Sequence, residues 1–227
     1  MVSYLYHSTL NATALNQSPT NNKLLNLSSL PQDKLNRKEI RANIRAARRS
    51  LSPDQQSSLG KQACTLMLAK LKFLRVKHLA IYLTNDGELD TRVLIEALWK
   101  LDIQVYLPRL HPFSKGNLVF LAYTPSTPLV QNSLKIWEPK LDITQMILPH
   151  RLDVVVTPLV AFDLTGNRMG MGGGFYDRTL ANWTTRGKPF PIGFAHDCQQ
   201  VESLPCEHWD VPLPMLVTPT RVLLFDS

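Results

Sequence analysis

The sequence predicts an α/β protein with a mainly parallel sheet, because short apolar runs alternate along the chain with segments of helical periodicity. The longest run, 154–162, is apolar at almost every position, as expected of a strand that is buried on both faces. The chain has 227 residues, 44% of them hydrophobic, which is enough to bury the core of one globular domain.

Two helices are predicted at the start of this domain. We interpret residues 1–33, rich in Asn, Ser, Thr and Leu, as a flexible N-terminal extension and residues 34–227 as a single domain. The first helix, 34–51, has an apolar stripe formed by Ile40, Ile44, Ala47 and Leu51. The second helix, 52–70, begins at a capping box whose N-cap is Ser52.

Strands and helices then alternate. A polar loop, 84–90, follows the strand predicted at 78–83 and lies beyond its carboxyl end, where ligands bind in open α/β sheets. Pro108 is expected to end the strand before it. The remaining predicted elements are a helix at 91–101 and strands at 103–107, 118–123, 192–196 and 221–225. Segment 124–145 is interrupted by prolines and includes a partly extended stretch at 134–139, and segment 201–214 is predicted to be mostly loop.

The net charge of +7 is concentrated in segment 34–49, which carries seven basic residues and one acidic residue. Such a basic helix is the electrostatic footprint of a nucleic-acid-binding module, although no reader motif accompanies it. We interpret Arg45, Arg48 and Arg49 as a solvated face of this helix. Nucleic-acid binding is therefore a competing function, and it would leave the glycine-rich segment described below unexplained.

Cysteine usage and hydropathy indicate a cytoplasmic protein. No apolar run approaches the roughly 20 residues that a membrane-spanning helix needs, and the N-terminus has no signal-peptide pattern. The three cysteines form no close pair, which is typical of free thiols in a reducing compartment. A zinc site made of Cys198, Cys206 and His208 is disfavoured, because their spacing fits no common zinc motif.

A glycine-rich segment follows the 154–162 run and a turn at 165–167. Residues 168–174 contain four glycines in five positions, and 175–180 is predicted to start a helix. A strand, a glycine loop and a helix start together predict a phosphate cradle, in which backbone N–H groups face an anion. Arg168 and Arg178 add positive charge, and Asp177 is placed to hold magnesium.

Neither standard nucleotide motif is present in this segment. The Gly-Lys-Ser/Thr ending of a P-loop is absent, and Phe175 stands where the third glycine of GxGxxG belongs. The alternative interpretation is a glycine-rich turn that lets a helix pack closely on a strand.

These segments resemble one family. The matching patterns are Arg37-x-x-x-Arg41 with Arg48-Arg49-x-Leu51-Ser52, Gly87-Glu88-Leu89-Asp90-Thr91, Pro158 to Asp163, and Arg168-x-Gly170-x-Gly172-Gly173-Gly174-Phe175-Tyr176-Asp177. Over roughly 34–227 the chain is similar to the 5-formyltetrahydrofolate cyclo-ligases. The resemblance implies a three-layer α/β/α sandwich of the NagB/RpiA/CoA-transferase-like type. It also implies an enzyme that uses ATP and Mg²⁺ to convert 5-formyltetrahydrofolate to 5,10-methenyltetrahydrofolate, releasing ADP and phosphate.

The resemblance also implies roles for individual residues. The residues implied to bind ATP are Arg37, Lys38, Glu39, Ile40, Arg41, Arg168, Met169, Gly170, Met171, Gly172, Gly173, Gly174, Phe175 and Tyr176. Those implied to bind folate are Leu83, Glu88, Met171, Gly172, Gly173, Gly174 and Phe175. Arg168 and Tyr176 are the catalytic candidates, and Asp177 and Asp210 are the magnesium candidates. Arg37 stands where the family often has lysine.

Some of these assignments have simpler alternatives. Glu88 could be a solvated loop acid, and Asp210 could cap the turn before Pro212. A sugar-phosphate isomerase or an acyl-CoA transferase could also use the same fold without ATP, since fold does not determine function. We expect a monomer whose partner is a small folate, with or without a polyglutamate tail, rather than nucleic acid or a membrane.

Overall fold

The structure is a computed structural model that describes residues 36–226. The predicted extension at 1–33 lies outside the described residues. Within 36–226, no helix is long and apolar enough to cross a membrane. The α-helices are α1 (Arg37–Arg49), α2 (Pro53–Leu74), α3 (Arg92–Lys100), α4 (Phe175–Leu180) and α5 (Trp183–Arg186). The strands are β1 (His78–Ala80), β2 (Gln104–Leu110), β3 (Leu118–Ala122), β4 (Leu129–Gln131), β5 (Trp137–Pro139), β6 (Met146–Ile147), β7 (Val154–Thr157), β8 (Ala161–Phe162), β9 (Arg168–Met169), β10 (Phe190–Phe194), β11 (Met215–Val217) and β12 (Val222–Leu224).

Eight of these strands form one sheet in the order β12-β11-β10-β7-β1-β2-β3-β6. Strands β11, β10, β7, β1 and β2 run parallel, and the antiparallel strands β12, β3 and β6 lie toward the two edges. Alternate strand residues face opposite sides of the sheet. Leu79 packs with α2 and α3 on one face, whereas Ala80 packs with Leu180 of α4 and Trp183 of α5 on the other. The predicted α/β class with a mainly parallel sheet is confirmed.

The first two helices begin where side chains satisfy their free N–H groups. Asn36 Oδ1 accepts from the N–H groups of Lys38 and Glu39, and the Glu39 side chain accepts from Asn36 N–H in return. The capping box predicted at Ser52 is confirmed by the same reciprocal contacts with Gln55. Each box satisfies N–H groups that the helix itself leaves free.

The prediction of one continuous strand over 154–162 is wrong, because the structure divides this run into two strands, β7 and β8. Strand β7 ends at Thr157, and β8 leaves the main sheet to pair with β9 in a two-stranded hairpin. Pro158 follows Thr157 and has no N–H to donate to a neighbouring strand, which ends the pairing there. The hairpin then carries the chain from the carboxyl end of β7 to the glycine loop.

Pro108 does not end its strand as predicted, because it lies inside β2 and pairs with Phe120 of β3. In β2 the carbonyl of Tyr106 faces β1, where it accepts from Ile81 N–H. Residues two apart face the same neighbour, so the nitrogen of Pro108 also faces the β1 side. The β1 strand ends at Ala80, opposite Tyr106, so no ladder bond needs the missing N–H.

Other boundaries also differ from those predicted. Strand β1 is shorter than 78–83, α2 extends past residue 70 to Leu74, and the short strands β6 and β11 follow directly after the segments 124–145 and 201–214, where no element was predicted. The stretch at 134–139 belongs to a β4–β5 hairpin. These differences lie away from the carboxyl end of the sheet, except for β1, whose early end lengthens the loop that follows it.

Candidate functional site

The glycine loop starts later than predicted. Arg168 and Met169 are buried residues of β9, so the loop proper comprises residues 170–174. Gly172 (φ +100°) and Gly174 (φ +63°) adopt the left-handed backbone region that favours glycine. A Cβ on Gly174 would lie 2.9 Å from Arg178 Nη1. The loop therefore needs glycine for its backbone path at these two positions.

The two ends of the loop are joined by an ion pair. Arg168 is buried, and its Nη2 donates to Oδ1 of Asp177 in α4 at 2.6 Å. Val211 N–H also donates to this oxygen, at 3.2 Å. Burial lowers the pKa of Arg168, and the negative charge of Asp177 opposes that effect. Arg168 therefore lies beneath the loop with a carboxylate partner rather than in the open loop where the sequence predicted it.

Arg178 supports the same loop from its outer side. Its Nε donates to the carbonyl of Gly116 at 2.6 Å, and its Nη2 donates to the carbonyl of Gly173. Its guanidinium also lies 5.7 Å from the centroid of the Phe175 ring. Arg178 thus connects the glycine loop to the turn between β2 and β3.

Of the five residues at the start of α1 that were predicted to bind ATP, Arg41 contacts the glycine loop and Arg37 contacts Asp210. Arg41 Nε donates to the carbonyl of Gly170 at 2.8 Å, and Arg37 Nη2 donates to Oδ2 of Asp210 at 2.7 Å. Burial and the neighbouring cation of Arg37 lower the pKa of Arg41. The other three have different surroundings: Lys38 and Glu39 are exposed, and Ile40 belongs to a core cluster with Val160 and Met169.

An open cleft of about 610 Å³ begins at this loop. It extends from the three glycines 172–174 past Asp177 to the segment His208–Pro212, which includes Asp210 and the exposed indole of Trp209. Its volume lies within the range of small-molecule sites. The cleft is therefore large enough for a nucleotide.

Asp177 and Asp210, the two magnesium candidates, both line this cleft. Each uses one carboxylate oxygen for its arginine, and within residues 36–226 no hydrogen bond reaches Asp177 Oδ2 or Asp210 Oδ1. The described residues contain no cluster of three or more His, Cys, Asp or Glu side chains that could hold a metal on its own. This arrangement fits Mg²⁺, which is usually held by one or two carboxylates together with phosphates and water.

The second half of α1 converges on one carboxylate that the sequence analysis did not single out. Asp86, in the loop after β1, accepts from Arg45 Nε at 2.7 Å, from Arg48 Nη2 at 2.8 Å and from Arg49. Burial alone would raise the pKa of Asp86, but these hydrogen bonds outweigh it and lower the pKa to about 2. We call these four residues the Asp86 cluster.

The prediction that Arg45, Arg48 and Arg49 form a solvated face is therefore wrong for Arg48 and for the partly buried Arg45, whereas Arg49 is exposed although it also pairs with Asp86. Arg48 is completely buried and takes the inward position that the predicted stripe gave to Ala47, which is only partly buried. A buried cation needs a partner, so the recurrence of arginine beside an apolar stripe was a signal for an acidic acceptor elsewhere in the chain.

Glu88 lies two residues beyond Asp86 and is partly buried, so it is not a freely solvated loop acid. Burial raises its pKa to about 7, although the charge of Arg48 and a hydrogen bond from Asn85 N–H at 3.1 Å act in the opposite direction. The negative charge of Glu88 contributes, after burial, to raising the pKa of Tyr176 in α4. The structure thus brings together Glu88 and Tyr176, which the sequence analysis assigned to different roles.

His196 and Leu83 complete the surroundings of this loop. Leu83 is partly buried and packs against the core on the α2 and α3 side. His196, which follows β10, is buried, and desolvation together with the charge of Arg48 lowers its pKa to about 4. The imidazole is therefore neutral at physiological pH, and the sequence carried no signal for its position.

Comparisons with known proteins agree with one another. The model of the 5-formyltetrahydrofolate cyclo-ligase family matches residues 33–219. A 5-formyltetrahydrofolate cyclo-ligase of Escherichia coli (strain K12) is 56% identical over 179 residues, covering 79% of this chain and 98% of that protein. The same-named protein of Haemophilus influenzae is 50% identical over 178 residues, covering 78% and 94%. The NMR structure of Aquifex aeolicus 5,10-methenyltetrahydrofolate synthetase has a TM-score of 0.71 at 28% identity, covering 84% of this chain and 93% of that one.

Proposed function

The chain belongs to the 5-formyltetrahydrofolate cyclo-ligase family, and we therefore propose that it converts 5-formyltetrahydrofolate to 5,10-methenyltetrahydrofolate while ATP becomes ADP and phosphate. The observation that carries this proposal is the grouping of three features at the carboxyl end of the sheet. These are a glycine loop bordered by arginines, a cleft with two carboxylates, and the partly buried Glu88 close to Tyr176.

The chemistry requires activation of an amide-like carbon. The formyl oxygen on N5 attacks the γ-phosphorus of ATP, and the bond from that phosphorus to ADP breaks. N10 then attacks the activated formyl carbon, loses its proton, and the carbon–oxygen bond breaks to release phosphate. Because the protein forms no covalent bond, its contribution is to position the two substrates and to stabilise charge on the transferred group.

The nucleotide would lie in the cleft, with its phosphates at the glycine loop. Backbone N–H groups of residues 170–174, with the guanidinium groups of Arg37 and Arg41, supply donors and positive charge there. Arg168 would act through Asp177, which it holds in place. Asp177 and Asp210 would hold Mg²⁺ with their remaining oxygens, and the ion would neutralise charge on the phosphates during transfer.

The folate would lie between the loop after β1 and the glycine loop. Ionised Glu88 would accept hydrogen bonds from the donor-rich edge of the pterin, and Leu83 would contact its ring. Residues Met171 to Phe175 would separate the two substrates. The raised pKa of Tyr176 keeps its hydroxyl protonated, so Tyr176 would donate a hydrogen bond near the reacting formyl group.

The competing functions receive less support. The arginines of α1 that a nucleic-acid module would present to phosphates instead contact Asp86, Gly170 and Asp210. An isomerase or transferase on this fold would need neither ATP nor Mg²⁺. We also propose that residues 34–227 form the catalytic domain, since the family match starts at residue 33, and that it acts as a cytoplasmic monomer on folates with or without polyglutamate tails.

The direct test is to follow the near-ultraviolet absorbance of the methenyl product. Purified protein is mixed with 5-formyltetrahydrofolate and Mg²⁺, with and without ATP, and Asp177→Ala is assayed beside the unchanged chain. We expect product only when ATP is present, and much less of it from the variant. A folded protein that forms no product with ATP would rule out the proposed reaction.

A further inference from the structure

We propose that Asp86 and Arg48 are positioning residues for folate: together they fix the loop that carries Glu88 relative to α1, and thereby set where the folate lies relative to the nucleotide. This inference rests on the proposed function. It concerns two residues that need not touch either substrate and that act through the backbone of the loop after β1.

The guanidinium of Arg48 donates hydrogen bonds to both the side chain and the backbone of Asp86. Nε of Arg48 donates to the carbonyl of Asp86 at 2.8 Å, and Nη2 donates to Oδ2 of the same residue at 2.8 Å. Asp86 has φ +53°, a left-handed conformation that is uncommon for residues other than glycine. The ion pair therefore contacts the chain at a left-handed backbone position that lies two residues before Glu88.

The same arginine connects this turn to two further parts of the fold. Its Nη1 donates at 3.3 Å to the carbonyl of Leu159, in the segment between β7 and β8. Gln56 of α2 donates to the carbonyls of both Arg48 and Gly87, at 3.1 and 3.3 Å. The loop is thus attached to α1, to α2 and to the end of the central strand.

Helix α1 contacts the glycine loop near its amino end and the loop that contains Glu88 near its carboxyl end. Arg41 contacts the glycine loop, while Arg48, seven residues and about 10 Å further along the helix axis, holds the loop of Glu88. A helix with hydrogen bonds at both ends is a rigid spacer. We infer that α1 sets the separation between the γ-phosphate and the formyl group, for which a misplacement of about 1 Å can cost roughly 100-fold in rate.

The charges around Glu88 affect its pKa, and the pH dependence of activity therefore provides a readout that a purely structural role of Asp86 would not change. The groups that act on or face Glu88 are Arg48 of α1, Asp86 of its own loop, Tyr82 after β1, Tyr176 of α4 and His196 after β10. The Asp86 charge raises the pKa of Glu88, and the Arg48 charge lowers it. Removing the Asp86 charge should therefore move the ionisation of Glu88 to lower pH.

The test compares the steady-state kinetics of Asp86→Asn with those of the wild-type protein. We expect kcat/KM for 5-formyltetrahydrofolate to fall roughly 10- to 100-fold, with a rise in the folate KM, since misplacement of about 1 Å can cost roughly 100-fold in rate. The KM for ATP should change by less than about twofold, because the Arg37 and Arg41 contacts remain. The acid limb of kcat/KM for the folate should move to lower pH.

Asp153→Asn is the matched control. Asp153 accepts from the N–H groups of Lys77 and His78 at the amino end of β1 and pairs with Lys188, so it also fixes the chain beside this strand through an ion pair. It lies at the opposite end of β1 from Glu88. This variant should lose stability while keeping both KM values and the pH profile.

Arg48→Lys provides a second variant if Asp86→Asn does not fold. Lysine keeps the charge but cannot make the forked contacts of the guanidinium, so the folate KM should again rise more than the ATP KM. Equal changes in both KM values, or an unchanged folate KM, in a folded variant would overturn the positioning role. If the unchanged chain forms no product, the proposed reaction itself fails, which is a different result from an active enzyme that tolerates Asp86→Asn.

Discussion

Arg168 and Asp177 are joined across the base of the glycine loop: Nη2 of the buried arginine lies 2.6 Å from Oδ1 of the aspartate. Arg168 belongs to β9 and Asp177 to α4, so the pair connects the strand before the loop to the helix after it. The two residues are nine positions apart, and every glycine of the loop lies between them. The loop is therefore closed by a side-chain contact as well as by its backbone.

Replacing Arg168 with Met should lower both stability and ATP affinity. The change leaves Asp177 partly buried without its cation, and breaking such a pair typically costs about 3–5 kcal/mol. Denaturant unfolding measures the first effect and the KM for ATP the second. If activity falls while the free energy of unfolding stays the same, Arg168 contacts the phosphates directly and does not act through Asp177.

Gly174→Ala should impair the enzyme more than Gly170→Ala does. Alanine at 174 meets a left-handed backbone, which costs about 1–2 kcal/mol, and its Cβ meets Arg178 at 2.9 Å. A Cβ on Gly170 would have no other part of the fold within 4 Å, and the φ of Gly170 is not positive. Gly170→Ala is therefore the matched control. Thermal unfolding and the KM for ATP of the two variants check this difference, and equal effects would contradict it.

Activity with the folate should depend on the ionisation of Glu88. Its pKa is raised to about 7, so kcat/KM for 5-formyltetrahydrofolate should fall as the pH drops through 7. Glu88→Gln should raise the folate KM roughly 10- to 100-fold at pH 8, since hydrogen bonds to charged groups contribute about 1.5–3 kcal/mol. A pH profile in Glu88→Gln that keeps the same acid limb would assign that limb to another group.

Glu88→Gln should also make the fold more stable above neutral pH. A carboxyl group whose pKa is raised on folding contributes stability that is complete below its unfolded value of 4.5 and is lost as the pH rises through about 7. Glutamine does not ionise, so the variant avoids that loss. At pH 5 the variant and the wild-type protein should have similar free energies of unfolding. At pH 8 the variant should have the larger one.

Asp177→Asn and Asp210→Asn should each shift the Mg²⁺ dependence of the reaction to higher concentration. Amide oxygen is a weaker ligand for Mg²⁺ than carboxylate, and Mg²⁺ sites of this kind use only one or two carboxylates. Asp153→Asn, outside the cleft, should leave the Mg²⁺ dependence unchanged. An unchanged Mg²⁺ titration in both cleft variants would exclude these aspartates as ligands.

Features determined by neighbouring residues in the chain could be predicted from the sequence. The capping box at Ser52 was predicted because its partner, Gln55, is three residues away. The alternation of strands and helices was likewise visible in the hydropathy pattern. The glycine loop was located to within two residues, since its start was predicted at Arg168 and lies at Gly170.

Features determined by distant residues could not be predicted. Pro158 follows the last residue of a strand while Pro108 lies within one, and the difference depends on whether a neighbouring strand faces the missing N–H. Arg48 is buried and Lys38 is exposed although both are basic residues of α1, because only Arg48 faces Asp86. Arg168 was assigned to an open loop because Asp177, the carboxylate that pairs with it in the folded chain, lies beyond the glycines.

Because synthesis runs from the amino to the carboxyl end, the contacts of α1 form only late in the synthesis of the chain. The helix is among the first parts of the domain to leave the ribosome, yet Arg37 pairs with Asp210, which is 173 residues later. At typical translation rates of about 5–20 residues per second, roughly 10–35 s pass before that carboxylate exists. During this interval segment 37–49 carries arginines whose acidic partners have not all been synthesised, Asp86 being the first to appear and Asp210 the last.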